Sequence, residues 1–336
     1  MLKTVPMLSR FVLVMFSLLL SGAVSAEDLA AKQSDYKVQH GWPQLPEGFA
    51  LAVPGGVDID HQGRVFSVHT GGRAWPDRNT PELIANKTVM VWDEKTGKLL
   101  DSWGENTFRM THGLTVDKDS NVWATDVGLH QVFKFTDQGE LIFALGEAST
   151  PGDKPGYFNM PTDIAVLDDG SFYVSDGYGN NRIVKYSADG EYQFEWGKGG
   201  TGPGEFNLPH SVALDSEGKV YVADRGNFRI QIFSPEGEYL SEIKTDGWMP
   251  YALIISADNK IFVTDGGDKP AKYPFRSRVL VLDLEGNILD TFGRYGNYDG
   301  QFILAHDIGI SPGGDVFVAD VVGNRIQKFV KSSPSQ

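Results

Sequence analysis

Phe206-Asn-Leu-Pro-His210-Ser-Val-Ala-Leu-Asp-Ser-Glu-Gly-Lys-Val-Tyr-Val-Ala-Asp224-Arg225-Gly-Asn-Phe-Arg-Ile-Gln-Ile-Phe-Ser-Pro-Glu-Gly-Glu-Tyr-Leu-Ser-Glu-Ile243 is the stretch whose reading decides the fold. It holds four short runs in which apolar and polar residues alternate, separated by turn residues, and it recurs before and after itself along most of the chain. A unit of that size cannot bury its own faces, so recurrence at this period means stacked supersecondary modules. Six copies align, with inner runs over residues 57–60, 114–117, 164–167, 212–215, 253–256 and 308–311. Each is followed by a turn rich in Gly, Asp or Asn, such as Ser216-Glu-Gly218 or Asp168-Asp-Gly170. Third runs follow, such as Arg182-Ile-Val-Lys-Tyr186 and Arg325-Ile-Gln-Lys-Phe329. Short alternating strands joined by turns of this chemistry predict an all-β chain. Four strands per unit and six units predict a six-bladed β-propeller.

The ends of the chain predict how the ring closes. The last copy stops near Lys331, one strand short, while Tyr36-Lys-Val-Gln-His-Gly-Trp42 reads as a fourth strand at the other end. That strand is expected to complete the last blade and so remove the open edges. The expected organisation is a signal peptide over 1–26, an N-terminal segment with the closing strand over 27–48, the propeller over 49–331 and a tail over 332–336.

Composition supports a folded, exported chain. At 41% hydrophobic and 12% aromatic residues there is enough apolar surface for a packed core. Lys3 and Arg10, an apolar run over 11–20 and Val24-Ser25-Ala26 have the form of a cleavable signal peptide, with cleavage expected after Ala26. The run is too short to span a bilayer, so the expectation is a secreted or periplasmic protein with no membrane span after cleavage. Removing 1–26 leaves 28 basic against 44 acidic residues, a net of −16, which argues against a nucleic-acid partner. There is no Cys, so stability must come from packing, loop chemistry or metal. A monomer is the expected state.

Function is sought in the copies that depart from the shared pattern. The slot just before the inner run reads Gly55, His112, Thr162, His210, Tyr251, His306. Histidine fills every second copy, and six-fold geometry sets alternate copies about 120° apart around the axis. Three imidazoles then point at one axial spot. An open His₃ set is a zinc arrangement that leaves room for water or substrate. The Asp that ends strand two (Asp126, Asp176, Asp224, Asp265, Asp320) and the Arg that opens strand three (Arg182, Arg229, Arg278, Arg325) recur in most copies. They are therefore read as turn ligands or surface ion pairs. Beside that Asp, Arg225 and Tyr178 are the exceptions, both expected on the face of the histidines. Copy one carries a long insertion over 69–88 and copy five another over 266–277, and loops of that length often close over sites. His69, Arg73 and His130 are further candidates on that face.

The repeat resembles the NHL propellers through Gly204-Glu-Phe-Asn-Leu-Pro209 with Val222-Ala-Asp224 and Arg229-Ile230, and through Gly300-Gln-Phe302 with Val318-Ala-Asp320 and Arg325-Ile326. The exceptions go further. Thr111-His112-Gly-Leu-Thr-Val-Asp117, Ser175-Asp-Gly-Tyr178-Gly-Asn-Asn-Arg182, Pro209-His210-Ser211, Ala223-Asp-Arg225 and His306-Asp307-Ile308 resemble the peptidyl-α-hydroxyglycine α-amidating lyases. That resemblance implies that His112, His210 and His306 hold a catalytic zinc, that Tyr178 is the base and that Arg225 supports it. It also implies a structural calcium deeper on the axis, bound by Asp307 and the carbonyls of Val57 and Leu114. The implied substrate is a small molecule or peptide ending in a hydroxyglycine-like group, cleaved at its C–N bond to an amide and glyoxylate. Three departures stand against the family pattern. An Arg of the copy-one loop aligns with Thr70, leaving Arg73 as its candidate replacement; a Met near the third histidine is Leu304; and the family's disulfides are missing. A lactonase-like calcium propeller would rely on axial carboxylates and Asn where this slot carries imidazoles. A non-enzymatic propeller that binds a peptide, glycan or protein on the His-bearing face is the alternative reading.

Overall fold

The alternating runs form strands in the computed structural model of the chain, which describes residues 34–267 and 275–332. The expected signal peptide, most of the tail and residues 268–274 of the copy-five insertion lie outside the described residues. The described residues form six antiparallel four-stranded sheets. Blade four is typical: Pro209–Leu214, Val220–Asp224, Arg229–Phe233 and Tyr239–Lys244 pair in chain order. Blade six is the exception, because Tyr36–Val38 pairs with Arg325–Lys331 and supplies its outer strand. The ring is thus closed by the N-terminal segment, as expected. The closing strand is shorter than the 36–42 run, because the chain turns at Gly41, whose φ of 72° suits glycine. Tyr36 holds it in place, buried and stacked on Phe292 at 4.7 Å.

Among the described residues each core cluster is shared between neighbouring blades. Phe66, Val68 and Val91 of blade one pack with Leu114, Val122 and Phe133 of blade two. Trp123 and Val132 of blade two pack with Ile164 and Phe172 of blade three. Each blade therefore needs its neighbours, the property that makes stacked repeats cooperative.

Two expectations are corrected by the structure. The inner strands begin one to three residues earlier than the apolar runs, as in Thr111–Val116 and Ala305–Ile310, so the His slot lies inside the strand. The runs missed these residues because a polar side chain and a local bulge interrupt the alternation there. Of the two readings of the recurrent Asp and Arg, turn ligands or surface ion pairs, the surface one is corrected: Asp176 and Asp224 are fully enclosed, and Arg182 and Arg229 are almost so. Asp126 explains why, since its carboxylate accepts N–H bonds from Arg109, Met110, Gly128 and Leu129 and so ties strand two to the loops around it.

Candidate metal centre and active site

The three slot histidines meet on the axis. His112, His210 and His306 each sit where the pairing of strands one and two slips, between Thr111 and Leu114, Pro209 and Ser211, and Ala305 and Asp307. A bulge re-aims a side chain out of the sheet face, here toward the ring centre. The ring centroids lie 4.7 Å (His112–His306), 4.8 Å (His112–His210) and 5.0 Å (His210–His306) apart. One ligand atom from each falls within 4.8 Å of the others.

The odd blades orient the even ones. Each Nδ1 lies 2.8 Å from a backbone carbonyl: His112 from Thr162, His210 from Tyr251, and His306 from Gly55. Those three carbonyls belong to the slot residues that are not histidine. An Nδ1–H given to a carbonyl fixes the tautomer and leaves the Nε2 lone pair facing inward, the form in which imidazole binds metal. Burial holds His112 and His210 well below their ordinary value; the next-largest contribution is repulsion from His306 for His112 and from Arg225 for His210. Both are therefore neutral donors at pH 7. Three inward lone pairs enclosed away from water fit a divalent cation.

Tyr178 and Arg225 join this centre. The Tyr178 hydroxyl is 3.1 Å from His112 Nε2 and 3.0 Å from His210 Nε2. It is brought there by Gly177, which packs so closely on the Pro209 carbonyl that a Cβ would not fit. Arg225 Nη1 is 3.5 Å from the same hydroxyl, and its guanidinium lies 4.3 Å over the Tyr251 ring. Burial raises the Tyr178 phenol above its ordinary 10, and the positive charge of Arg225 opposes that rise. The protein groups alone leave the phenol neutral, so ionisation calls for a further positive charge.

The other candidates are placed elsewhere. Arg73 donates from Nη1 to the carbonyls of Glu82 (2.8 Å) and Arg109 (2.7 Å), which fastens the copy-one insertion onto the loop entering blade two. His69 is buried against Phe49, and its Nδ1 accepts the Gly71 N–H. His130 accepts the Met160 N–H at Nδ1 in a left-handed turn with φ of 60°. Sequence comparison of copies missed Trp75, whose ring centroid is 4.7 Å from that of Tyr178. Most copies lack the insertion, so repeat alignment held no signal for it.

Below the histidines a cavity of about 220 Å³ opens on the axis, lined by Asp58, Leu114, Asp163 and Asp307 among others. Asp307 and Leu114 line this cavity, and Asp307 Oδ2 accepts the Val57 N–H at 2.9 Å. Asp58 and Asp163 add two carboxylates that the sequence reading did not assign. Burial raises Asp58 to about 7, and it lifts Asp307 well above the carboxylate range, with repulsion from Asp163 adding to it. Three carboxylates lining one axial cavity are hard oxygen donors, the chemistry that a calcium ion takes. One signal was available: Asp163 and Asp307 both follow the slot residue, in copies three and six.

Six blades around an axial imidazole cluster define an NHL-type propeller with three histidines gathered on one face. The NHL repeat family matches residues 158–186 and 206–233. The chain is 32% identical over 315 residues to NHL repeat-containing protein 3 of Mus musculus, across 88% of this chain and 84% of that one. It is 33% identical over 339 residues to peptidyl-alpha-hydroxyglycine alpha-amidating lyase 1 of Drosophila melanogaster, across 91% of this chain. It spans 62% of that relative's length. A gluconolactonase from Xanthomonas campestris has the same fold, with a TM-score of 0.63 at 15% identity, over 91% of this chain and 93% of that one. The chain belongs to the NHL-repeat family and is homologous to the peptidyl-α-hydroxyglycine α-amidating lyases. No helix among the described residues is long and apolar enough to cross a membrane.

Proposed function

We propose that the chain is an exported zinc-dependent lyase that cleaves an N-acyl-α-hydroxyglycine to an amide and glyoxylate. The observation that carries this reading is the convergence of three inward Nε2 atoms, the Tyr178 hydroxyl and the Arg225 guanidinium on one enclosed axial point. His112, His210 and His306 would hold zinc. Zinc, when bound, supplies positive charge and Lewis acidity at this point and favours the ionised phenol of Tyr178.

The residues then have distinct tasks. Tyr178 as phenolate takes the proton of the substrate hydroxyl. The hydroxyl oxygen becomes the aldehyde oxygen of glyoxylate, the C–N electron pair leaves with the amide nitrogen, and that nitrogen takes up a proton. Arg225 keeps the phenolate ionised and offers the substrate carboxylate a charge-assisted partner. Arg73 holds the insertion against blade two. Asp58, Asp163 and Asp307, with the carbonyls of Val57 and Leu114, would hold a structural calcium. The acidic, ring-closed chain is read as a monomer that binds no nucleic acid.

The test is glyoxylate release from N-benzoyl-α-hydroxyglycine by purified protein with measured metal content. Release that Tyr178→Phe lowers by about 10²-fold to 10⁴-fold supports the reading. A second reading, a propeller that binds a partner without chemistry, is favoured by the match to NHL repeat-containing protein 3, whose name states no reaction. Metal-replete protein with no glyoxylate release would decide for it.

A further inference from the structure

The copy-one insertion brings an aromatic wall to the axial centre. Trp75 begins the short 3₁₀ turn Trp75–Asp77, none of whose residues is buried. Its side chain is 39% exposed, unusual for the largest apolar residue type. Yet the ring is not loose, because it lies on Tyr178 and the Arg78 guanidinium stands 5.1 Å from its centroid. Arg78 Nη1 also donates to the Trp75 carbonyl.

The base of the insertion is fixed as well. Ile84 is buried and exchanges backbone bonds with Phe108 and Asn106 of the loop entering blade two. Arg109 reaches back to the Pro81 carbonyl while Arg73 holds the Arg109 carbonyl. A tryptophan held against the proposed base and still presenting apolar surface to solvent is placed to meet a substrate.

The direction of approach identifies which part of the substrate. Arg225 comes from blade four and Trp75 from blade one, opposite members of a six-membered ring, and both contact Tyr178. At the tetrahedral carbinol carbon the carboxylate and the acylated nitrogen diverge. With the carboxylate drawn to Arg225, the acyl group is directed to the side where Trp75 stands.

We propose that Trp75 is a specificity-determining residue that packs on the acyl side of the substrate and selects hydroxyglycines carrying a bulky apolar or aromatic acyl group. This rests on the reading of the chain as an N-acyl-α-hydroxyglycine lyase. Aromatic–aromatic contact and burial of the exposed indole face favour such a group over a small one.

The experiment compares N-benzoyl-α-hydroxyglycine with N-acetyl-α-hydroxyglycine in wild type, Trp75→Phe and Trp75→Ala. Binding of the unreactive analogues benzoylglycine and acetylglycine is measured by calorimetry on the same metal-loaded proteins. Wild type is expected to show the lower KM for the benzoyl substrate. Trp75→Ala is expected to shrink the benzoyl-to-acetyl preference in KM and in analogue affinity by about tenfold, and Trp75→Phe to restore most of it. Equal losses on both substrates would assign Trp75 to supporting Tyr178 alone and overturn the proposal, as would an unchanged preference. Turnover of both substrates with no acyl preference sinks this inference and leaves the lyase reading standing, whereas no turnover and no analogue binding in wild type sinks both.

Discussion

The carbonyl of Gly55 and Nδ1 of His306 meet at 2.8 Å across the seam where the first and last blades close. Closure of the ring and orientation of the third imidazole are therefore one structural event. Gly55 can fill this position because a Cβ there would lie 2.7 Å from the His112 carbonyl oxygen. Gly55→Ala should push on His112 and His306 together. Zinc affinity, measured by chelator competition, is expected to fall about 10-fold to 100-fold, the usual cost of losing an outer hydrogen-bond partner. Unchanged affinity would mean that the carbonyls do not orient the imidazoles.

The repeated Asp–Arg pairs are predicted to matter for stability in proportion to their burial. Arg229 Nε lies 2.7 Å from Asp224 Oδ2, with both side chains enclosed. Asp224→Ala removes the fully buried carboxylate from Arg229 Nε, leaving Glu242 as the remaining acidic partner, and is expected to cost about 3 kcal/mol in urea unfolding. Asp119→Ala, which breaks the exposed pair with Lys118, should leave the midpoint unchanged. Similar losses for the two variants would refute the assignment of the buried pairs as the structural ones.

His69 gives the fold an acid dependence separate from the axial centre. Burial pushes its imidazole from 6.5 down to about 4. As pH falls below the unfolded value the unfolded chain gains a proton that the folded chain refuses, so stability declines until pH reaches the folded value. The loss from pH 7 to pH 5 is on the order of 2 kcal/mol. In His69→Gln this share of the decline should vanish from urea midpoints taken at the two pH values. A variant with the wild-type pH dependence would show that His69 does not carry it.

Much of the architecture was legible because a repeat displays its own rules. Six aligned copies exposed the strand pattern, the missing outer strand and the slot occupied by His112, His210 and His306. Tyr178 and Arg225 were found as exceptions to that pattern. What copies do not share was harder to read. Trp75 lies on an insertion that most copies lack, and its neighbour Tyr178 is two blades away. Asp58 sits deeper in its strand than the slot residues, and only the closed ring brings it to Asp163 and Asp307. The burial of Asp224 and Arg229 was missed because sequence shows their charge and not the loops that enclose them. Arg73, singled out as a replacement for the family arginine, turns to backbone carbonyls because the insertion must be anchored.

The most direct measurement of the central claim is the zinc content of purified protein by plasma mass spectrometry, for wild type and for His210→Ala, with circular dichroism as the check on folding. An axial His₃ centre predicts about one zinc per chain in wild type and its loss from a still-folded His210→Ala. Zinc retained at the wild-type ratio in that folded variant, or wild type that takes up none when supplied with it, would contradict the account.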